Sequence, residues 1–193
     1  MNIKTIYLFL IVLISNIVLA QNFTRQDSLR GSITKERVWW DLKKYHLDIK
    51  VNPADSTITG SNTIDYQVLD QYNVMQIDLQ EPMQITKILQ DGINLKFQRE
   101  GNVFHVFLVA NQIIGDNKKL VVFYSGKPKI AVNPPWDGGI SWKKYENGKP
   151  FIASSCQGLG ASVWWPNKDH MYDEAESMLI SVNVPKGLMD ISN

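Results

Sequence analysis

An all-β fold, either an antiparallel sandwich or a curved saddle-like sheet, is predicted by three features of the 193-residue sequence. Short segments alternate apolar and polar residues with the period of a half-buried strand. Clusters of Gly, Asn, Asp and Pro separate them at intervals of about 8–12 residues, the rhythm of hairpin-connected strands. No window sustains an apolar stripe at helical spacing beyond about ten residues; a single short turn over residues 173–178 is the most helix the pattern allows.

The first twenty residues read as an address rather than as structure. Lys4 supplies a positive start, residues 6–14 are an unbroken apolar run, and Val18-Leu19-Ala20 offers modest side chains to a signal peptidase. The run falls short of the roughly 20 apolar residues a membrane span needs, so cleavage after Ala20 is expected, with an uncleaved anchor as the alternative. The product is exported, to the periplasm or beyond, with no membrane attachment after cleavage. Residues 21–36 are polar and aperiodic and read as a linker. Residues 37–193 read as one β-domain, a size that buries an ample core.

Within that domain Tyr45, Leu47, Ile49 and Val51 alternate with His46, Asp48 and Lys50, and a turn at Asn52-Pro53-Ala54-Asp55 follows. Residues 57–68 are rich in β-branched side chains and should pair antiparallel with the preceding strand; Gly60 among them suggests a bulge or bend. Further strands are expected over residues 74–79, 83–89, 94–98, 103–109, 119–124 and 178–184. Pro134 and Pro135 forbid a regular strand, so residues 127–137 read as a loop leading into a hairpin of residues 140–145 and 150–154.

Once Lys4 is removed, basic and acidic residues number 19 each. That balance excludes the clustered basic surface a nucleic-acid partner wants. A lone cysteine, Cys156, permits no internal disulfide and is most simply a buried apolar residue. The three histidines, His46, His105 and His170, do not fall in His-Glu-x-x-His, and the donors of residues 169–174 follow no zinc spacing; no metal site is expected in this chain. A Cys156–His170 nucleophile and base would need adjacency and an orienting acid that nothing in the sequence indicates, so no catalytic residue is assigned. Trp136, Trp142, Trp164 and Trp165 suit either a ligand surface or, preferably, two core caps and a contact with a neighbouring domain.

The most informative segment is residues 154–169. Gly158 and Gly160 free the backbone to approach a ligand or take positive φ, and Gln157 sets one uncharged donor and acceptor at the head of the stretch. Residues 155–169, Ser-Cys-Gln-Gly-Leu-Gly-Ala-Ser-Val-Trp-Trp-Pro-Asn-Lys-Asp, fit without a gap a Gln-Cys-Gln/Glu-Ala-x-x-x-Arg segment that runs through an apolar pair into Pro-Cys-x-Asp. That segment marks the amino-terminal domain of the aminopeptidase N family, the gluzincin zinc exopeptidases that include leukotriene hydrolase. Tyr45-His46-Leu47-Asp48-Ile49, Ile58-Thr59-Gly60-Ser61-Asn62-Thr63-Ile64 and Met178-Leu179-Ile180-Ser181-Val182-Asn183-Val184-Pro185 are similar to other strands of that domain. The resemblance extends over residues 38–193.

The resemblance implies that Gln157 helps bind the free amino terminus of a peptide substrate and that Gly158 offers backbone to its first residue. It implies zinc and a downstream catalytic domain in the complete enzyme. The zinc motif, the exopeptidase loop and the catalytic tyrosine of the family would all lie beyond this sequence, leaving the chain alone inactive. Ser162 stands where the family has arginine and Asn167 where it has a second cysteine, so the loop's support should differ. The paired Trp164 and Trp165 suggest heavier packing against a neighbouring domain. The alternative is a stand-alone β-sandwich module that binds peptides or carbohydrates without catalysis.

Overall fold

A computed structural model describes residues 23–109 and 112–192; the signal-peptide expectation over residues 1–20 lies outside them. The longest pairing joins β1 (Trp40–Asn52) to β2 (Thr57–Val68), antiparallel from Trp40 against Val68 to Asn52 against Thr57. A register shift between Leu42 and Lys44 inserts one residue into β1. Such an insertion reverses the inward phase of a strand, so Trp40 and Leu42 are buried before it and Tyr45, Leu47, Ile49 and Val51 after it. Gly60 causes no register shift. It pairs with Ile49, and a Cβ there would strike the Asp48 carbonyl, so the glycine serves close backbone approach.

β8 (Asn117–Gly126) lies on the far side of β2, followed by β4 (Gln84–Gln90) and the short β5 (Ile93–Asn94). On the other side of β1 is β11 (Ser177–Asn183), which runs parallel to it and completes a six-stranded sheet. A smaller sheet has the order β3 (Val74–Asp78), β7 (Val103–Phe107) and β6 (Lys96–Glu100). The strand expected over residues 94–98 is thus divided between two sheets at the buried Leu95. Leu47, Ile64, Leu120 and Val122 of the large sheet share one apolar cluster with Met75, Ile77 and Val106 of the small one, which makes the core that of a sandwich. Trp39 and Trp40 meet Tyr66 edge-on within it, each at 5.8 Å between ring centroids.

β9 (Gly139–Lys144) and β10 (Pro150–Ser155) form the separate hairpin expected from the sequence. Residues 173–178 form no helix. The linker segment, in contrast, contains α1 (Arg25–Gly31) and α2 (Lys35–Val38). Thr24 caps α1 reciprocally with Asp27, satisfying two of the amide donors a helix start leaves open. Seven residues expose no readable period, and Leu29 alone of them is buried.

Candidate functional site

β10 ends at Ser155 and the chain turns at once. The Cys156 carbonyl accepts hydrogen bonds from the Leu159 and Gly160 amides, at 3.2 and 2.9 Å, closing a tight turn with Gln157 and Gly158 exposed at its crest. Gly158 has φ +69° with open space around it. Gly160 has φ +79°, and a Cβ there would collide with the Asp169 carboxylate; both conformation and space demand glycine.

The turn is braced from two directions. Arg30 of α1 donates through Nη2 to the Gly158 carbonyl at 2.8 Å. Gln80, just past β3, donates through Nε2 to the Leu159 carbonyl at 2.5 Å and to Ser162 Oγ at 3.0 Å. Ser162 in turn donates its hydroxyl and amide to Asp169 Oδ2, at 2.5 and 3.2 Å. Asn167 donates to the Trp165 carbonyl and exchanges two backbone hydrogen bonds with Asp78. These contacts are the local support at the two positions where the sequence departs from the aminopeptidase N pattern.

Beneath the turn lie two buried ion pairs. Arg37 grips both oxygens of Asp78 at 2.7 Å, and Asp78 also accepts from Gln76 Nε2 and the Asp169 amide, each at 2.9 Å. Burial pushes the Asp78 carboxyl up, opposed by the Arg37 guanidinium. Lys168 donates to the Trp40 carbonyl at 2.6 Å and to Asp173 at 2.5 Å, its ammonium 3.9 Å from the Trp40 ring centroid. Burial lowers Lys168 to about 8, opposed by Asp173. A cleft of about 740 Å³ opens between α1 and residues 161–175, with Arg30, Lys168 and Asp169 in its walls.

No family model and no curated protein sequence matches this chain. Its architecture does have solved counterparts. An M1 zinc metallopeptidase variant from Deinococcus radiodurans, bound to a Tyr-Ser-Ala substrate, superposes with a TM-score of 0.61 at 20% identity. That alignment covers 81% of this chain and 35% of the other. LTA4 hydrolase of Saccharomyces cerevisiae gives a TM-score of 0.64 at 17% identity, over 88% of this chain and 27% of that one. In complex with bestatin, yeast LTA4 hydrolase gives 0.62 at 16%, over 91% and 27%. This is the fold of the amino-terminal domain of the M1 zinc metallopeptidases. The chain spans about a third or less of the proteins it resembles.

On this M1 amino-terminal fold the other candidates separate. His46 meets Ser181 at 3.3 Å and His105 meets Glu100 at 3.1 Å, both half-buried. His170 lies 3.2 Å from the Gly31 carbonyl and accepts from the Tyr172 amide, so both ring nitrogens are engaged. Among the described residues no three His, Cys, Asp or Glu side chains are grouped to hold a metal ion; zinc does not fit the donors present. Cys156 is exposed instead of buried, yet partial burial of its thiol pushes the pKa up, the reverse of an activated nucleophile.

The tryptophans also sort differently from expectation. Trp165 is 7% exposed and meets Tyr45 edge-on at 4.9 Å, while Trp142 and Trp164 pack partly buried on the same core. Trp165 thus packs within this domain, where Tyr45 of β1 is its aromatic partner, while Trp164 stays half-buried beside it. Trp136 alone of the four stands out, 82% exposed.

Sequence reasoning singled out the crest of the turn and missed Arg30, Arg37, Asp78, Gln80 and Lys168. Two signals were readable: an acid closing β3, whose other residues apart from Gln76 are apolar, and an arginine just before paired tryptophans.

Proposed function

We propose that this chain is the substrate-anchoring amino-terminal domain of an exported zinc aminopeptidase that removes amino-terminal residues from peptides. The observation that carries this reading is the exposed amide of Gln157 at the crest of a braced turn, on a fold shared with M1 zinc metallopeptidases. In the complete enzyme the Gln157 carbonyl oxygen accepts a hydrogen bond from the substrate's ammonium group. A charge-assisted bond of this kind contributes about 1.5–3 kcal/mol. Gly158 leaves room beside the first substrate residue. A neutral amide supplies only part of the match to a cation, so acids of a downstream catalytic domain supply the rest, and that domain holds the zinc. The M1 metallopeptidase solved with a Tyr-Ser-Ala substrate supports a peptide as the ligand class.

The test is Gln157→Ala in the complete enzyme, assayed on peptides with free amino termini. Its kcat/KM should fall about tenfold or more, with KM raised; an unchanged value removes Gln157 from the site. Export is tested at the mature amino terminus, which should be Gln21. Exposed Trp136 favours a second reading, a peptide- or carbohydrate-binding module without catalysis. Saturable quenching of tryptophan fluorescence by peptides or glycans on the isolated chain, lost in Trp136→Ala, would select it.

A further inference from the structure

The segment that reads as a linker is built into the candidate site. We propose that Arg30 is a positioning residue for the turn of residues 156–160, so that α1 sets the aim of Gln157; its catalytic consequence rests on the substrate-anchoring reading above.

The geometry has three parts. First, α1 is fixed independently of the turn. At its start Arg25 pairs with Glu100 at 2.8 Å, and Gln26 accepts from the Asn102 amide at 3.1 Å. At its end the Arg37 Nη1 donates to the carbonyls of Leu29, Arg30 and Ser32, at 2.8, 3.1 and 2.9 Å. A cation there satisfies the orphan carbonyls and complements the negative pole of the helix. The base of Arg30 is therefore stationary, and its bond to Gly158 locates the turn rather than tethering a loose arm.

Second, Gly158 is the residue of the turn most in need of such a bond. It has no side chain, lies at positive φ, and has nothing within 4 Å of where a Cβ would stand. Packing cannot hold it, so its peptide plane must be held by hydrogen bonds. Third, Arg30 and Gln80 seize the consecutive carbonyls of Gly158 and Leu159 from different elements. The Gly158–Leu159 and Leu159–Gly160 peptide planes are thereby fixed, one residue beyond Gln157, which narrows the directions in which its amide can leave the backbone. Conformational freedom that would otherwise be lost on binding is then already given up, which acts on affinity more than on turnover.

The first experiment needs no activity. In this chain, amide hydrogen exchange at Leu159 and Gly160 reports opening of the turn, and rates are normalised to the β1–β2 amides so that a general loss of stability cancels. Arg30→Ala should speed exchange at both sites about five- to tenfold, and Arg30→Lys, which retains charge and one donor, by less. Exchange unchanged in Arg30→Ala overturns the proposal.

The second experiment uses the complete enzyme. Arg30→Ala should raise KM about fivefold with kcat within about twofold, and should add nothing in a Gln157→Ala background. Equal losses in both backgrounds would overturn the link to Gln157. If Gln157→Ala is itself without effect, the anchoring reading fails, and the exchange measurement still judges the bracing.

Discussion

The β1–β2 ribbon and the β9–β10 hairpin are both antiparallel pairs, and they differ in how far apolar burial holds them. The ribbon is paired over its whole length, with one face in the core cluster and β8 or β11 along each edge. In the hairpin only Ile140, Trp142 and Ile152 reach that core, strand order ends at the pair itself, and Lys143, Lys144 and Phe151 are exposed. Its outgoing turn is located by single hydrogen bonds from Arg30 and Gln80 and by the buried charges below them. Apolar burial is tolerant of detail and fixes the frame. Directional polar contacts are intolerant of it, which suits the proposed task of presenting one amide at one angle.

Breaking each mode separately tests this contrast. The largest effect is expected from Arg37→Ala, which strands the buried Asp78 carboxylate and uncaps α1; about 3–5 kcal/mol should be lost in urea unfolding. Leu47→Ala in the ribbon should cost about 2–5 kcal/mol. The two should part in exchange at Leu159 and Gly160, which Arg37→Ala accelerates beyond its global effect and Leu47→Ala does not. Equal behaviour would dissolve the distinction between frame and site.

Gly160→Ala comes next, at about 2–3 kcal/mol, combining left-handed strain with displacement of Asp169 from Ser162. A chemical-denaturation midpoint equal to that of the unmodified chain would show the Gly160–Asp169 approach to be slack.

The smallest effect is a pH dependence. Because Lys168 titrates at about 8 when folded, below its usual value, the unfolded chain binds a proton between about pH 8 and 10 that the folded chain does not. Stability should therefore rise with pH across that window, by about 2 kcal/mol. Buried Tyr45, Tyr66 and Tyr124 are pushed upward by burial, so above about pH 10 the unfolded chain releases protons that the folded one retains, and the gain reverses. Lys168→Met should flatten the rise; an unaltered profile would assign it elsewhere.

What the sequence disclosed follows the same division. β2 occupies the span its alternation indicates, since period-two burial is written in consecutive residues. The parallel alignment of β11 with β1 is not, because a strand's pattern records which face is buried and not the direction of its neighbour. The crest at Gln157 and Gly158 was legible as a glycine-bearing stretch after a strand. Its braces were not: Arg30 and Gly158 stand 128 positions apart, and Gln80 and Leu159 stand 79. Lys168 and Arg37 resemble surface residues in composition, and only three-dimensional pairing makes them interior.

The Asp78 carboxylate gathers donors from residues 37, 76 and 169, and this bears on where the domain can be trimmed. A polypeptide begun at Trp39 would retain every strand, yet enclose an anion deprived of its cation and a turn robbed of one strut. Any cleavage that removed the stretch from Thr24 to Val38 would accordingly leave the scaffold standing while the proposed pointer lost its aim.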